Sequence, residues 1–91
     1  MEFEWDPRKA ARNLRKHKVS FTEAATVFGD PLGITAVDPD HSTNECRFLV
    51  VGKSSRGRTL IVAYAERGDR IRIISGRELT SRERRAYEEK R

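Results

Sequence analysis

The spacing of apolar residues changes along the chain, and each change marks a different element. Ala10, Leu14 and His17 recur at i, i+4 and i+7, with Asn13 beside them. That spacing predicts a helix docked by a narrow stripe. Asp6 can cap its start, and Pro7 at the first helical position loses no needed donor. The helix runs to about His17, and Arg8, Lys9, Arg12, Arg15 and Lys16 cover the rest of it. Ser20-Phe21-Thr22-Glu23 has the form of a capping box, with Val19 placed as a staple. It opens a second helix over about Phe21–Phe28, stopped by Gly29-Asp30-Pro31.

Beyond that point the apolar residues follow a strand pattern. Leu32–Val37 reads as a weak strand ended by Asp38-Pro39-Asp40, and Glu45–Gly52 as a strong one. Thr59–Arg67 and Arg70–Gly76 are strands joined at Gly68-Asp69, a two-residue hairpin signal. Phe3–Trp5 is a possible short strand. Thr80-Ser81-Arg82-Glu83 is another capping box and opens a last helix to about Glu89, with Leu79, Ala86 and Tyr87 as its apolar contacts. Consecutive strands with short links favour antiparallel pairing. The expected class is α+β: an antiparallel sheet of about four strands, two N-terminal helices and one C-terminal helix, in a single domain over residues 1–91.

The hairpin assigns faces. A two-residue turn pairs Arg67 with Arg70, Glu66 with Ile71, Ala65 with Arg72 and Tyr64 with Ile73. One face then carries Leu60, Val62, Tyr64, Ile71 and Ile73, the expected core. The other carries Ala63, Ala65, Arg67, Arg70, Arg72 and Ile74. Like charges placed opposite each other are destabilising, so this cluster needs a reason. The arginines can splay into water or meet Asp69 and Glu66 at the hairpin end. Alternatively they await phosphates, which a guanidinium binds bidentately.

Charge sharpens the second possibility. The 91 residues hold 19 Lys+Arg against 14 Asp+Glu, a net charge of +5. Residues 53–76 alone carry six bases against two acids, whereas residues 29–52 carry one base against four acids. A basic surplus concentrated in strands suits a polyanionic partner. There is no apolar run of the ~20 residues a membrane span needs. The acidic N-terminus is unlike a signal peptide. With one cysteine, Cys46, expected as a small buried hydrophobe, the expected address is the cytoplasm.

Familiar catalytic signatures are missing: no glycine-rich phosphate loop, no H-E-x-x-H, no Cys-rich zinc set. Asp38, Asp40 and His41 could be read as metal ligands, but Asp-Pro-Asp is more often a turn. We expect no metal and no cofactor. Arg, Lys, Glu, His and Tyr remain, and they suffice for cleavage of RNA by its own 2′-hydroxyl, a group DNA lacks. The protein must accept that proton, protonate the leaving 5′-oxygen and stabilise charge on phosphorus. Arg67, Arg72 and Arg77 are the expected phosphate ligands. Glu66 is the preferred base, with His17 as the alternative, and Tyr87 is a candidate for the leaving group. Lys9, His17, Arg47 and Arg82 are expected RNA contacts. Each has a plainer alternative: His17 packed against the sheet, Tyr87 in the core, Glu66 paired with an arginine, and Arg82 as a solvated helix residue.

An ordered set of short matches resembles the BrnT toxin family. It comprises Phe3-Glu4-Trp5-Asp6, Lys9, Asn13 to Phe21, Asp30-Pro31, His41-Ser42, Glu45 with Arg47, and Gly52. It continues through Glu66 to Ser75, Arg77, and Arg82-Glu83-Arg84-Arg85 with Tyr87. Lys18 stands where glycine is usual after the histidine, Ala65 where threonine is usual, and Gly76 where alanine is usual. The resemblance implies a RelE-like fold and a ribonuclease toxin of a type II toxin–antitoxin pair. It further implies neutralisation by a ribbon-helix-helix antitoxin of the BrnA type, two toxins on an antitoxin dimer, and operator DNA reached only through the antitoxin. The alternative from another class is a non-catalytic basic module that binds nucleic acid or protein and cuts nothing.

Overall fold

A computed structural model describes residues 1–39 and 46–90. Asp40, His41, Ser42 and Glu45, named above, lie outside these described residues. The elements are β1 (Glu2–Glu4), α1 (Pro7–His17), α2 (Phe21–Thr26) with a 3-10 turn at Val27–Gly29, β2 (Ile34–Val37), β3 (Arg47–Lys53), β4 (Thr59–Arg67), β5 (Arg70–Glu78) and α3 (Ser81–Lys90). The α+β class holds, with one strand more than expected. The sheet has five strands in the order β1-β5-β4-β3-β2. Pairing along β2-β3-β4-β5 is antiparallel, but β1 joins β5 in parallel, so the sheet is mixed.

Local chemistry accounts for the helix ends. The Asp6 carboxylate accepts from Arg8 N at 2.8 Å, and Pro7 occupies the first turn. This contact with the Arg8 backbone N–H is the chief cause of Asp6's lowered pKa. α1 closes on Lys18 in the left-handed region, φ 61°, with its N–H on the Leu14 carbonyl. A lysine thus takes the cap where glycine is cheaper by about 1 kcal/mol. At α2 only half of the capping box forms. Ser20 Oγ accepts from Glu23 N at 3.0 Å, but the Glu23 carboxylate turns inward to Ser54 and Arg58. At α3 the box is complete: Thr80 Oγ1 accepts from Glu83 N, and Glu83 Oε1 accepts from Thr80 N.

α1 and α2 cover one face of the sheet. The core between them is Val19, Phe21, Ala24, Val27, Val50, Leu60, Val62, Tyr64, Ile71 and Ile73. A run of aromatic contacts, Phe3–Phe28–Tyr64–Phe48, extends it with ring centroids 4.9–5.5 Å apart. The α1 stripe is rotated from expectation. Leu14 is 49 % exposed and Asn13 is buried at 7 %, because the Asn13 amide has backbone partners on β5. Cys46 is also a correction: it is exposed, just before β3.

The hairpin register follows the two-residue turn as far as Tyr64↔Ile73. A bulge then inserts Ile74, and pairing resumes at Ala63↔Ser75 and Ile61↔Arg77. An extra residue in a strand flips every later side chain to the other face. Ser75 and Arg77 therefore join the face that bears Arg67, Arg70 and Arg72, while Gly76 turns to the core. A Cβ on Gly76 would come within 3.2 Å of the Ala24 side chain, which is how closely α2 lies on this strand.

Candidate functional site

The second face of the sheet is only partly covered. α3 covers one end, over an apolar hollow lined by Ile34, Val51, Ile61, Leu79, Ala86 and Tyr87. Toward the hairpin the floor is Ala63, Ala65 and Ser75 with Leu49 beside them; Arg47, Arg67, Arg70 and Arg72 stand on it, and Arg77 stands at the end nearer α3. Alanines opposite long cations leave room for those side chains to lie across the strands.

Beside this floor runs α1. β1 is so short that it covers only Arg70–Arg72 of β5, and the strand edge beyond it is taken by the helix. Lys9, Arg12, Asn13, Lys16 and His17 of α1 and Arg47, Ile74 and Ser75 of the sheet line a hollow of about 290 Å³. Arg47 lies on β3, two strands from β5, so its side chain reaches this hollow across β4. A second hollow of about 240 Å³, lined by Asp38, Pro39, Leu49, Ile61, Ala63, Ser75 and Arg77, adjoins the first at Ser75. Together they form a trough with cations on one wall and at both ends.

The expected site residues divide between places. Lys9, His17 and Arg47 meet in the first hollow, and Arg77 borders the second. Arg72 stands in the same cross-strand row as Arg47, separated by Ala65, and is bonded to Glu4 at 3.1 Å. Arg70 lies within 3.5 Å of Glu2 and 3.7 Å of Glu4. The like charges at the hairpin end are thus answered by β1, whose glutamates share their face. Arg67 lies at the exposed hairpin end on that same face. Glu66 projects from the opposite face, since it pairs with the core residue Ile71, and the structure does not bring it to the arginines. Tyr87 is 6 % exposed, lines the apolar hollow under α3, and donates its hydroxyl to the Leu32 carbonyl at 3.4 Å. Arg82 is exposed on the first turn of α3, outside both hollows.

Arg77 is preorganised by a carboxylate. Glu83 takes two of its N–H groups at 2.8 and 3.0 Å, and the Glu78 carbonyl a third contact at 3.2 Å. The Arg77 guanidinium, with help from the Thr80 amide, pulls the Glu83 carboxyl down to about 2. Among the described residues no three His, Cys, Asp or Glu side chains cluster as a metal site. No helix among them is long and apolar enough to cross a membrane.

Sequence reasoning missed Arg12, Lys16 and Ser75 as trough residues. Lys9, Arg12 and Lys16 recur at i, i+3 and i+7, which puts them on one helix face, but that spacing also fits a solvated surface. Ser75 was hidden by the bulge.

A search of curated proteins finds no match to the chain. Among solved structures, the chain resembles the Brucella abortus ribonuclease toxin BrnT, with 20% identity, a TM-score of 0.65, and coverage of 89% of this chain and 99% of that one. That likeness speaks to the fold. Residues 5–83 match the family described as ribonuclease toxin, BrnT, of type II toxin–antitoxin system. The match spans most of the chain and both walls of the trough, and the chain belongs to the BrnT family of ribonuclease toxins.

Proposed function

We propose that this protein is a metal-independent endoribonuclease that cuts mRNA in the trough, arrests translation and is neutralised by a BrnA-type antitoxin. The observation that carries the reading is the meeting of Lys9, Arg12, Lys16, His17 and Arg47 around Ser75, next to Arg77, on an open sheet face. Cations at that spacing can follow a ribose-phosphate backbone, while the small floor leaves space for it.

The chemistry needs no protein nucleophile. The substrate 2′-oxygen bonds to phosphorus, the bond from phosphorus to the 5′-oxygen breaks, and a cyclic phosphate and a 5′-hydroxyl result. Arg47, with Arg77 and Arg72, offers N–H donors to the phosphate oxygens where negative charge grows. His17 is the proton-transfer group that lies among these cations; Glu66 would have to act from the far face. Lys9, Arg12 and Lys16 hold the flanking phosphates, with Arg67 and Arg82 contacting RNA beyond the trough. Tyr87, turned into the apolar hollow, supports α3 in this reading. The same basic face is the surface an antitoxin would cover, two toxins to an antitoxin dimer.

A specific observation favours the non-catalytic alternative: Arg72 and Arg77, both expected phosphate ligands, are already engaged by Glu4 and Glu83. The two readings separate on one substrate pair. An oligonucleotide with ribose throughout should be cut in EDTA, and the same strand with 2′-deoxyribose at the cut position should survive. Binding of both strands without cleavage of either would establish the binding module instead.

A further inference from the structure

We infer that Asn13 is the positioning residue of the trough, the group that fixes the catalytic helix face against the strand that carries Ser75 and Arg77. The inference rests on the ribonuclease reading above and adds a residue to it. Asn13 is buried in the middle of α1, where asparagine is a poor helix former. Its amide is fully employed outside its own helix. Nδ2 donates to the Val19 carbonyl at 2.9 Å and to the Gly76 carbonyl at 2.8 Å, and Oδ1 accepts from Gly76 N at 3.1 Å. Toward Gly76 the side chain behaves as a missing strand would, offering a donor and an acceptor to one residue of the β5 edge that β1 leaves unpaired.

The placement of this clamp bears on the chemistry on both sides. On α1, the neighbours of position 13 are Ala10 at i−3, which packs against the core, and Lys9 at i−4, Lys16 at i+3 and His17 at i+4. Lys9, Lys16 and His17 line the trough. On β5, Gly76 points to the core, so its neighbours Ser75 and Arg77 point the other way, to the trough. One amide therefore joins the two walls at a strand position whose flanking side chains both face the site. Asn13 itself need not touch RNA; it sets the distance between His17 and the phosphate-binding arginines. A displacement of about 1 Å at such a joint is enough to lower turnover by about 10²-fold.

The test compares the full-length wild type with Asn13→Ala and with Val27→Ala, a core truncation on the far side of α2 that lowers stability without touching the trough. All are assayed well below their melting temperatures. Asn13→Ala should lose about 10²-fold in kcat with KM changed less than about 3-fold, while Val27→Ala keeps wild-type kcat. Asn13→Ser provides a milder form if the alanine variant does not fold. In parallel, an uncleavable 2′-O-methyl RNA is titrated into each protein while the His17 ring resonances are followed. The wild type and Val27→Ala should show a shift at His17 that Asn13→Ala lacks. Unchanged kcat in folded Asn13→Ala, or an equal loss in Val27→Ala, overturns the proposal. If the wild type cuts no RNA, the ribonuclease reading fails and the His17 response alone decides: its selective loss in Asn13→Ala upholds the positioning role, and its persistence overturns it.

Discussion

Glu23 carries a carboxylate into the interior with its side chain only 4 % exposed, and Arg58 meets it there. Arg58 Nε donates to Glu23 Oε2 at 2.9 Å, Ser54 Oγ donates to the same oxygen at 2.7 Å, and Arg58 also reaches Glu78 and the Lys18 carbonyl. The Arg58 hydrogen bond is the main force that lowers the Glu23 pKa. Removing one partner of a buried pair strands the other charge, so Arg58→Ala should cost about 3 kcal/mol, read as a lower midpoint in urea. A loss under 1 kcal/mol would show that water reaches Glu23 freely. Lys18 offers the opposite sign. Its φ of 61° suits glycine, and Lys18→Gly should gain about 0.5–1 kcal/mol in the same measurement. In the sequence, Arg58 was indistinguishable from other turn residues, since nothing local says that a turn arginine will find a glutamate 35 positions earlier.

Elements were legible where their signals were local. The Gly68-Asp69 turn fixed the register from Arg67↔Arg70 to Tyr64↔Ile73, and the capping residues located the starts of α1, α2 and α3. Two features depended on remote partners and were not legible: the parallel pairing of the short N-terminal strand, and the bulge in β5. β1 is three residues that pair in parallel with a strand nearly seventy positions away, a link with no turn of its own. The bulge at Ile74 has no sequence mark, yet it decides that Arg77 shares a face with Arg72. Parity counted from the hairpin alone would have sent Arg77 to the core. Glu66 is independent of the bulge: the hairpin register alone pairs it with Ile71, on the face opposite the arginines. At α3, the Arg77–Glu83 link yields a pH prediction. The Glu83 carboxyl titrates at about 2 in the folded chain against an ordinary 4.5. Its contribution to stability is therefore complete above pH 4.5 and fades as the pH falls toward 2. A carboxyl resonance titration should give a Glu83 midpoint near 2; a midpoint near 4.5 would mean the link is not held in solution.

At the scale of the whole molecule, the net charge of +5 is focused where Lys9, Arg12 and Lys16 of α1 meet Arg47 and Arg77 of the sheet. The proposed ribonuclease reading assigns RNA to the trough. RNA affinity should fall with salt, with a slope of about −3 in log K against log salt if four or five phosphates of a single strand are neutralised. In cells, induced expression should stop growth, and co-expression of a cognate antitoxin should relieve the arrest. The most direct test is on the trough itself. Purified wild type and Arg47→Ala, matched for melting temperature, are incubated with RNA in EDTA and the initial rates compared. The wild type should cleave, and Arg47→Ala should lose about 10²-fold, the scale of one missing transition-state donor. Equal rates in the two proteins would contradict this role for the trough and place the chemistry elsewhere on the fold.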